Sequence, residues 1–472
     1  MVGPIVTPLL VAPLCLLLPR RGLYPLHLTV SLTGLLAVVA LMRAVALEGP
    51  LRYAMGGWGA PLGIDLLADG LSLMPLLLTA LVMPPLTLYA HDYLDEDGDK
   101  QLNFWPLWYL LWCGLNASVL TADIFNVYVT LEVLTLAAVP LVVLSGGVEA
   151  LRGAIRYLLF ALLGSLTYLL GVALLFAAHG TLDMAGLAVR WAGDRLDAVG
   201  LALIVVGLLA KGAIFPLHIW LPPAHSAAPA PVSAALSALV VKVAFYLLAR
   251  LWFWVAEPAA GAGLLLGGLG ATAVFYGSLQ ALRQGRLKLI IAYSTVAQLG
   301  YLLLLFPLAS GAALTGSLLQ MIGHGLAKAS LFLAAGNVIH VLGHDRVRDF
   351  AGVGRLLPTT WMAVGLSAIS LTGLPPSVAF LGKWRLLEAS FQQAQWWWVV
   401  VLVGGGLLAA AYLFRVLACA FVDDPAYPEV HRLPWSLTWM PLALAALGLL
   451  MGLFSAPLEA LLLPGSPFAE AP

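Results

Sequence analysis

The sequence is short of charge. Asp, Glu, Lys and Arg make up 10% of its 472 residues, whereas soluble globular proteins carry roughly 25%. The longest polar stretch is HDYLDEDGDK at 91–100, which leaves no room for a soluble domain. Hydrophobic residues reach 62%, and the mean hydropathy is +0.98. These values exclude an ordinary soluble protein and predict one that lies in a membrane.

Cysteine is also rare. Cys15, Cys113 and Cys419 stand alone and far apart, a pattern that excludes a disulfide framework and the spacing of an iron–sulfur site. The sequence contains no phosphate-binding loop and no strand–GxGxxG–helix unit. We therefore expect no cofactor, no bound metal and no nucleic-acid partner. We also expect that the chain performs no redox chemistry itself.

Apolar runs of about 18 residues or more recur along the whole chain, and each is long enough to cross a hydrocarbon core of about 30 Å. This pattern predicts an all-α polytopic membrane protein with about fourteen transmembrane helices. The predicted spans are 2–18, 24–46, 66–90, 103–121, 124–145, 154–178, 198–218, 229–254, 259–281, 288–308, 312–342, 360–390, 396–421 and 435–463.

Basic residues are distributed unevenly between the predicted loops. Loops after odd-numbered spans hold thirteen lysines and arginines, Lys288 among them, and loops after even-numbered spans hold six, including Arg250. In membrane proteins the cytoplasmic loops carry the excess of basic residues. The sequence therefore predicts a multi-pass protein of the plasma (inner) membrane with both termini outside.

Titratable groups lie inside the apolar runs. Four of the six lysines are embedded, whereas the arginines lie at or near the ends of runs; the four are Lys211, Lys242, Lys328 and Lys383. One acid, Glu132, is embedded as well, in DIFNVYVTLEVL. A charge inside a membrane costs several kcal/mol and usually marks a functional pathway. Lysine can release its proton when it leaves water, whereas arginine effectively cannot. The pattern indicates proton movement.

Two predicted spans are interrupted by proline, and both carry a lysine. Pro216 follows Lys211 in the seventh span, and Pro375 and Pro376 precede Lys383 in the twelfth. Proline removes a backbone donor, which is tolerated at membrane depth only where the freed groups are buried or face a polar cavity. Both spans are therefore predicted to be broken helices.

Broken helices at corresponding positions of two halves are typical of transporters built from inverted repeats. We predict two inverted five-helix repeats, spans 4–8 at residues 103–256 and spans 9–13 at residues 257–422. N-terminal helices at 1–102 precede them, and a C-terminal helix at 423–472 follows.

Three motifs carry a resemblance to a known family. They are KGAIFPLHIWLPPAHSAAPAPVSAALSALVVKV, LKLIIAYSTVAQLGY and HGLAKASLFLAAGNVIH. Together they resemble the proton-conducting antiporter subunits, a family that includes the D subunit of Mrp-type cation/proton antiporters and the L, M and N membrane subunits of respiratory complex I. The segments GGWGAPLGIDLLADGLS and DIFNVYVTLEVL favour the Mrp D type. The resemblance is strongest from 123 to 384.

The resemblance implies a fourteen-span fold and a charged file of Glu132 on span five, Lys211 on span seven, Lys242 on span eight and Lys383 on span twelve. The chain departs from the pattern at three points. Complex I relatives commonly have an acid at the position of Pro223, several relatives have histidine at Gln298, and some have glutamate at Lys383. These departures weaken transfer of the complex I mechanism more than transfer of the fold.

Several embedded groups also have a structural interpretation. Lys383 lies near a span end, where a lysine can extend its ammonium to the headgroups. Gln320, His324 and Lys328 are spaced i, i+4 and i+8 and form one polar stripe, which is either a proton relay or hydrogen-bonding glue between helices. His218 and His225, which flank the break in span seven, are either relay groups or partners for freed carbonyls.

Glu132 is either a structural partner of a lysine or the group that controls its proton. In the second case the carboxylate holds a proton on Lys211 while the two are paired. When the pair separates, the proton passes toward Lys242 and Lys383 through water in the cavities of the broken helices.

We therefore expect the proton-translocating subunit of a multisubunit cation (Na+)/proton antiporter. It would be assembled with other membrane subunits in the lipid bilayer and would not be an enzyme in its own right. One alternative is an antiporter-like pumping subunit of complex I or of a membrane-bound hydrogenase, driven by distant redox energy, and the neighbouring genes would distinguish the two. A second alternative is a non-pumping scaffold, which would gain nothing from burying four lysines.

Overall fold

A computed structural model of the chain describes residues 1–94, 98–256, 258, 261–419, 421–422 and 432–468. The helices, in chain order, are α1 Gly3–Leu17, α2 Arg20–Glu48, α3 Gly70–Tyr93, α4 Gly98–Leu120, α5 Ile124–Val143, α6 Gly147–His179, α7 Met184–Arg190, α8 Arg195–Lys211, α9 Leu221–Ala227, α10 Ala230–Ala235, α11 Val241–Trp254, α12 Ala262–Arg283, α13 Leu287–Leu302, α14 Leu305–Leu308, α15 Gly311–Leu342, α16 Val353–Leu356, α17 Pro358–Thr372, α18 Val378–Gln392, α19 Trp396–Cys419, α20 Trp435–Leu453 and α21 Ser455–Ala460.

A short antiparallel hairpin lies between α2 and α3. Its strands are β1 Leu51–Ala54 and β2 Asp65–Ala68, with Leu51 opposite Ala68. A π-helical turn at Leu236–Val240 joins α10 to α11.

Each of the fourteen predicted spans overlaps at least one helix. Within the described ranges, ten helical stretches are long and apolar enough to cross a membrane, and the apolar helix α1 is shorter. The helical membrane class is therefore confirmed. The count of fourteen spans and the division into two inverted repeats remain predictions.

The helices of spans seven and twelve are interrupted beside the prolines. α8 ends at Lys211 and α9 begins at Leu221, while α17 ends at Thr372 and α18 begins at Val378. The last carbonyls of a helix have no partner within it. In span seven Trp220 Nε1 donates to one of them, Ala210 O, at 3.0 Å. Each break therefore presents backbone carbonyls to side chains deep in the structure.

The centre of the molecule is formed by α11, α13 and α15, whose side chains are almost all buried. By contrast α2, α6 and α19 expose many leucines, valines and aromatic side chains. Such an outer surface suits contact with lipid or with other membrane proteins. The polar residues that line the central helices are therefore shielded from the bilayer.

Two isolated backbone bridges tie the starts of α5 and α13 to later loops. Asp123 pairs with Asp183 before α7, and Arg286 pairs with Arg346 after α15, both in antiparallel fashion. Both α5 and α13 are the second helix of a predicted repeat. Equivalent bridges at equivalent helices are what two repeats would produce. The two inverted repeats remain a prediction.

Two basic residues that the sequence placed in loops are buried within helices. Arg250 belongs to α11 and is 2% exposed, and Lys288 belongs to α13 and is 4% exposed. Arg250 donates from both terminal nitrogens to Asp69, at 2.5 Å each. Their loop assignment was wrong, because hydropathy at the end of a run does not reveal whether a side chain turns inward. Without them the loop count is twelve against five, so the predicted orientation keeps its basis.

Candidate functional site

The first polar group of the site joins α5 to α8. Lys211 ends α8, and its Nζ donates to Glu132 Oε1 at 2.9 Å and to Thr135 Oγ1 at 2.8 Å. Ser165 of α6 donates to the same carboxylate oxygen. The Lys211 side chain is 7% exposed and that of Glu132 is 19% exposed. The structure thus brings together an acid and a lysine from different predicted spans.

Glycines make this meeting possible. A Cβ on Gly207 of α8 would lie only 2.6 Å from Gly164 O of α6, so the two helices touch through their backbones. A Cβ on Gly164 would lie 3.4 Å from Lys211 Cγ. The close helix contact therefore brings Ser165, the next residue of α6, to the carboxylate that binds the lysine.

The second lysine lies on the neighbouring helix. Gly212, directly after the first lysine, packs so tightly on α11 that a Cβ would lie 2.9 Å from Ala244 Cβ. Two residues before Ala244, the Nζ of Lys242 donates to Ser237 O in the π-helical turn. Ser237 Oγ lies 2.8 Å from Thr295 Oγ1 of α13. A π-helical turn frequently marks a functional site within a helix. Here Ser237 of the turn contacts both Lys242, through its carbonyl, and Thr295, through its hydroxyl.

The polar stripe of α15 faces the same region. Lys328 Nζ donates to Ile291 O at 2.7 Å and to Ser294 Oγ, both on α13. His324 is fully buried, and neither ring nitrogen has a hydrogen-bond partner among the described residues. A buried polar group without a partner costs about 1–3 kcal/mol. In the described part of the chain, both nitrogens of this imidazole are thus left unbonded, as the predicted relay role would require.

The fourth lysine turns into the second break. Lys383 Nζ donates to Leu371 O at 2.9 Å and to Thr372 O at 3.0 Å, at the end of α17. It also lies 4.7 Å from the centre of the Tyr301 ring. Gly373 follows with a φ of 85°, and a Cβ there would lie 2.6 Å from Lys383 Cδ. The side chain of Lys383 is therefore directed at the break between α17 and α18.

A chain of amides connects α15 to this lysine. Gln320 Nε2 donates to Gln298 Oε1 at 2.8 Å, and Gln298 Nε2 donates to Leu371 O at 3.1 Å. Leu371 O is also an acceptor for Lys383, so one carbonyl joins the two groups. A Cβ on Gly382 would lie 2.5 Å from Gln320 N, which brings α18 against α15 at this point.

Helix α13 lies between the groups around Lys242, Lys328 and Lys383. Four of its polar side chains contact the site, and their spacing of i, i+1, i+4 and i+7 in LKLIIAYSTVAQLGY places them on one side of the helix. They are Ser294, Thr295, Gln298 and Tyr301. Sequence reasoning used this motif only for its resemblance. Its polar spacing within an apolar run was the signal that could have assigned the residues to the site.

Two further buried basic groups lie nearby. Lys288 Nζ donates to Ala228 O at 2.5 Å, just after α9. His225 of α9 is fully buried, stacks on Phe332 at 4.7 Å between ring centroids, and has no partner for either nitrogen in the described part of the chain. The sequence offered His225 as a relay group or a partner for freed carbonyls, whereas it placed Lys288 in a loop and missed it.

His218 lies apart from this network. Its ring packs between Phe215 and Tyr276, at 5.4 and 5.1 Å between centroids. No hydrogen bond within the described residues links it to Glu132 or to a buried lysine.

Among the described residues, Lys211 alone of the four predicted lysines has a carboxylate partner. The other three donate to carbonyl or hydroxyl oxygens. These neutral acceptors suit a lysine that gains and loses a proton, because they accept a hydrogen bond from either form.

Interrupted helices that carry buried lysines are typical of membrane transporters. The chain belongs to the family described as NADH:quinone oxidoreductase/Mrp antiporter, transmembrane, which matches residues 121–409. The family resemblance predicted from the motifs is thereby confirmed.

Three relatives illustrate its breadth. The N subunit of NADH-quinone oxidoreductase from Desulforudis audaxviator is 36% identical, over 96% of this chain and 95% of the relative. The D subunit of the Na(+)/H(+) antiporter from Bacillus subtilis is 30% identical, over 95% and 93%. Among solved structures, a chain of the Mrp complex from a Dietzia species superimposes with a TM-score of 0.90 at 26% identity, over 97% of this chain and 95% of that one.

Proposed function

We propose that the chain is the proton-translocating subunit of a multisubunit cation/proton antiporter, with Na+ as the cation. The observation that carries the proposal is the Glu132–Lys211 pair, held at 2.9 Å beside a broken helix. A pair that can open next to an interrupted helix offers a site where a proton is bound and released. The similarity to the D subunit of the Na(+)/H(+) antiporter supports the choice of cation.

The proposed path begins at the pair. Lys211 takes up a proton while Glu132 accepts its hydrogen bond, because the carboxylate stabilises the ammonium. Separation of the two removes that stabilisation, and the proton leaves for Lys242 on the adjacent helix. Lys328 and His324 then carry it past α13, and Lys383 receives it at the second break. Gln320 orients the last step through the amide chain. His218 has no hydrogen bond to these groups among the described residues, and the proposed path does not include it.

Electrostatics favours a file that is never fully charged. Glu132 and four protonated lysines would give a net charge of +3 inside the membrane. Like charges about 4 Å apart repel by about 4 kcal/mol at an effective dielectric constant of about 20. Arrival of a proton at one lysine therefore favours its departure from a neighbour. Repulsion between neighbouring protonated lysines would in this way favour the transfer of protons along the file.

A second candidate is a redox-driven pump. The similarity to the N subunit of NADH-quinone oxidoreductase supports it, since that relative belongs by name to an oxidoreductase. In that case the same file would move protons without a counter-cation. The energy would come from electron transfer in other subunits.

The test uses inverted membrane vesicles that contain the native complex. An acidic vesicle interior is first established and is reported by quenching of a pH-sensitive dye. NaCl is then added without any electron donor, and the recovery of dye fluorescence is followed. An antiporter subunit predicts reversal by NaCl and co-purification of small membrane subunits. A redox pump predicts no response to NaCl, acidification on adding an electron donor, and co-purification of iron–sulfur subunits.

A further inference from the structure

The two backbone bridges that begin α5 and α13 carry opposite charges. One joins Asp123 to Asp183, and the other joins Arg286 to Arg346. Side chains of directly opposed residues in an antiparallel pair lie on the same face, and like charges there are destabilising. Each bridge therefore needs a counter-charge.

The acidic bridge has its counter-charge within the chain. Arg52 of the hairpin donates to Asp183 and, through Nε at 2.6 Å, to Asp65. A single guanidinium thus binds carboxylates from two segments. Its positive charge lies beside Asp183 and reduces the repulsion between the two aspartates of the bridge.

The basic bridge is only half neutralised. Arg286 Nε donates to Asp345 Oδ1 at 2.8 Å, and the same carboxylate accepts from Lys288 N at 3.1 Å. Arg346 has no carboxylate partner among the residues that the structure describes. Both arginines line a surface cavity of about 350 Å³ together with Ile339, Gly343, His344 and Asp345. One guanidinium of the pair is left without an anion.

The position of this cavity suggests the source of the anion. It lies where α15 ends at Leu342 and α13 begins at Leu287. Helices that cross a membrane end near the headgroup layer, so we expect lipid phosphates at this depth. The predicted orientation puts these ends on the cytoplasmic side. Anionic lipids are concentrated in the cytoplasmic leaflet and attract basic segments near the surface.

We propose that the cavity between Arg286 and Arg346 binds the phosphate group of an anionic membrane lipid. Guanidinium groups match phosphate oxygens in charge and geometry, and they bind them through paired hydrogen bonds. The lipid phosphate supplies to the basic bridge what Arg52 supplies to the acidic one. Soluble phosphate has the same chemistry, but it lacks the local concentration of a headgroup at this depth.

The experiment measures lipid retention on the assembled complex. Complexes carrying the full chain are equilibrated with vesicles of phosphatidylglycerol or phosphatidylcholine, and bound lipid is counted by native mass spectrometry. Removal of one basic side chain near a membrane surface weakens anionic lipid binding by about fivefold. We expect Arg346→Gln to retain about fivefold less phosphatidylglycerol and Arg346→Lys to lie between it and the unaltered chain.

Arg348→Gln is the matched control. It removes the same charge from the same loop, but its side chain pairs with Asp349 and lies outside the cavity. Equal loss in both glutamine variants, loss in neither, or equal retention of phosphatidylcholine would overturn the proposal. Displacement of the bound lipid by millimolar inorganic phosphate would identify soluble phosphate as the ligand and would also overturn it. If Arg346→Gln does not assemble, the lysine variant and the phosphate competition on the unaltered complex still decide.

Discussion

Glu132→Gln removes one charge from the site and almost nothing else. The amide keeps the length of the side chain and can still accept hydrogen bonds from Lys211 and Ser165, which meet at one carboxylate oxygen. Transport should nevertheless fail if the charge of Glu132 controls the proton on Lys211.

The magnitude follows from the geometry. Unit charges 4 Å apart interact by about 4 kcal/mol at an effective dielectric constant of about 20. Lys211 Nζ and Glu132 Oε1 are 2.9 Å apart, and the 19% exposure of the Glu132 side chain allows some screening by water. We take about 3 kcal/mol as the stabilisation of protonated Lys211. Each 1.36 kcal/mol corresponds to a factor of ten in an equilibrium constant. The affinity of Lys211 for its proton should therefore fall by about a hundredfold in Glu132→Gln.

The assay is cation-dependent proton transport in inverted vesicles, with complex levels measured in parallel. Glu132→Gln and Glu132→Ala are expected to lose transport at near-normal complex levels, and Glu132→Asp is expected to keep part of it. Glu149→Gln is the matched control, since Glu149 forms an exposed pair with Arg152 on α6. Normal transport by Glu132→Gln would reduce Glu132 to a structural acid and refute the reasoning.

Three further predictions concern regions outside the proton file. Burial raises the pKa of the Asp123 carboxyl before α5. This group therefore stabilises the folded state below about pH 4, and that contribution is lost as the pH rises. Asp123→Asn should raise the thermal unfolding temperature at pH 8 but not at pH 4. Asp69→Asn leaves the buried guanidinium of Arg250 without its counter-charge and should destabilise the chain by about 3–5 kcal/mol in thermal unfolding, since this is the usual cost of breaking a buried pair. A reporter fused after Pro472 should be active outside, and a tag in the 343–356 loop should be accessible from the cytoplasm; the reverse pattern would contradict the predicted orientation.

Local features of the sequence were sufficient for the course of the helices. Long apolar runs predict helices because every backbone group must be satisfied in lipid. The prolines predict breaks in spans seven and twelve, and the structure has α8 end at Lys211 and α17 end at Thr372. These features depend on neighbouring residues alone. The resemblance then indicated which acid and which lysines share a file.

Tertiary partners could not be predicted in the same way. Arg250 was assigned to a loop because its partner Asp69 lies 181 residues away. The site contacts of Ser294 and Thr295 depend on which face of α13 meets α15 and the π-helical turn. Hydropathy gives the depth of a residue in the membrane, but packing decides the direction of its side chain.

The most direct test of the proton file is the replacement of Lys211 and Lys242 by arginine. Arginine keeps the positive charge and the hydrogen bonding, but it does not release a proton near neutral pH. We expect both arginine variants to transport as little as the corresponding alanine variants in inverted vesicles, with the complex fully assembled. Normal transport by both arginine variants would show that these lysines are structural cations and would contradict the file as proposed.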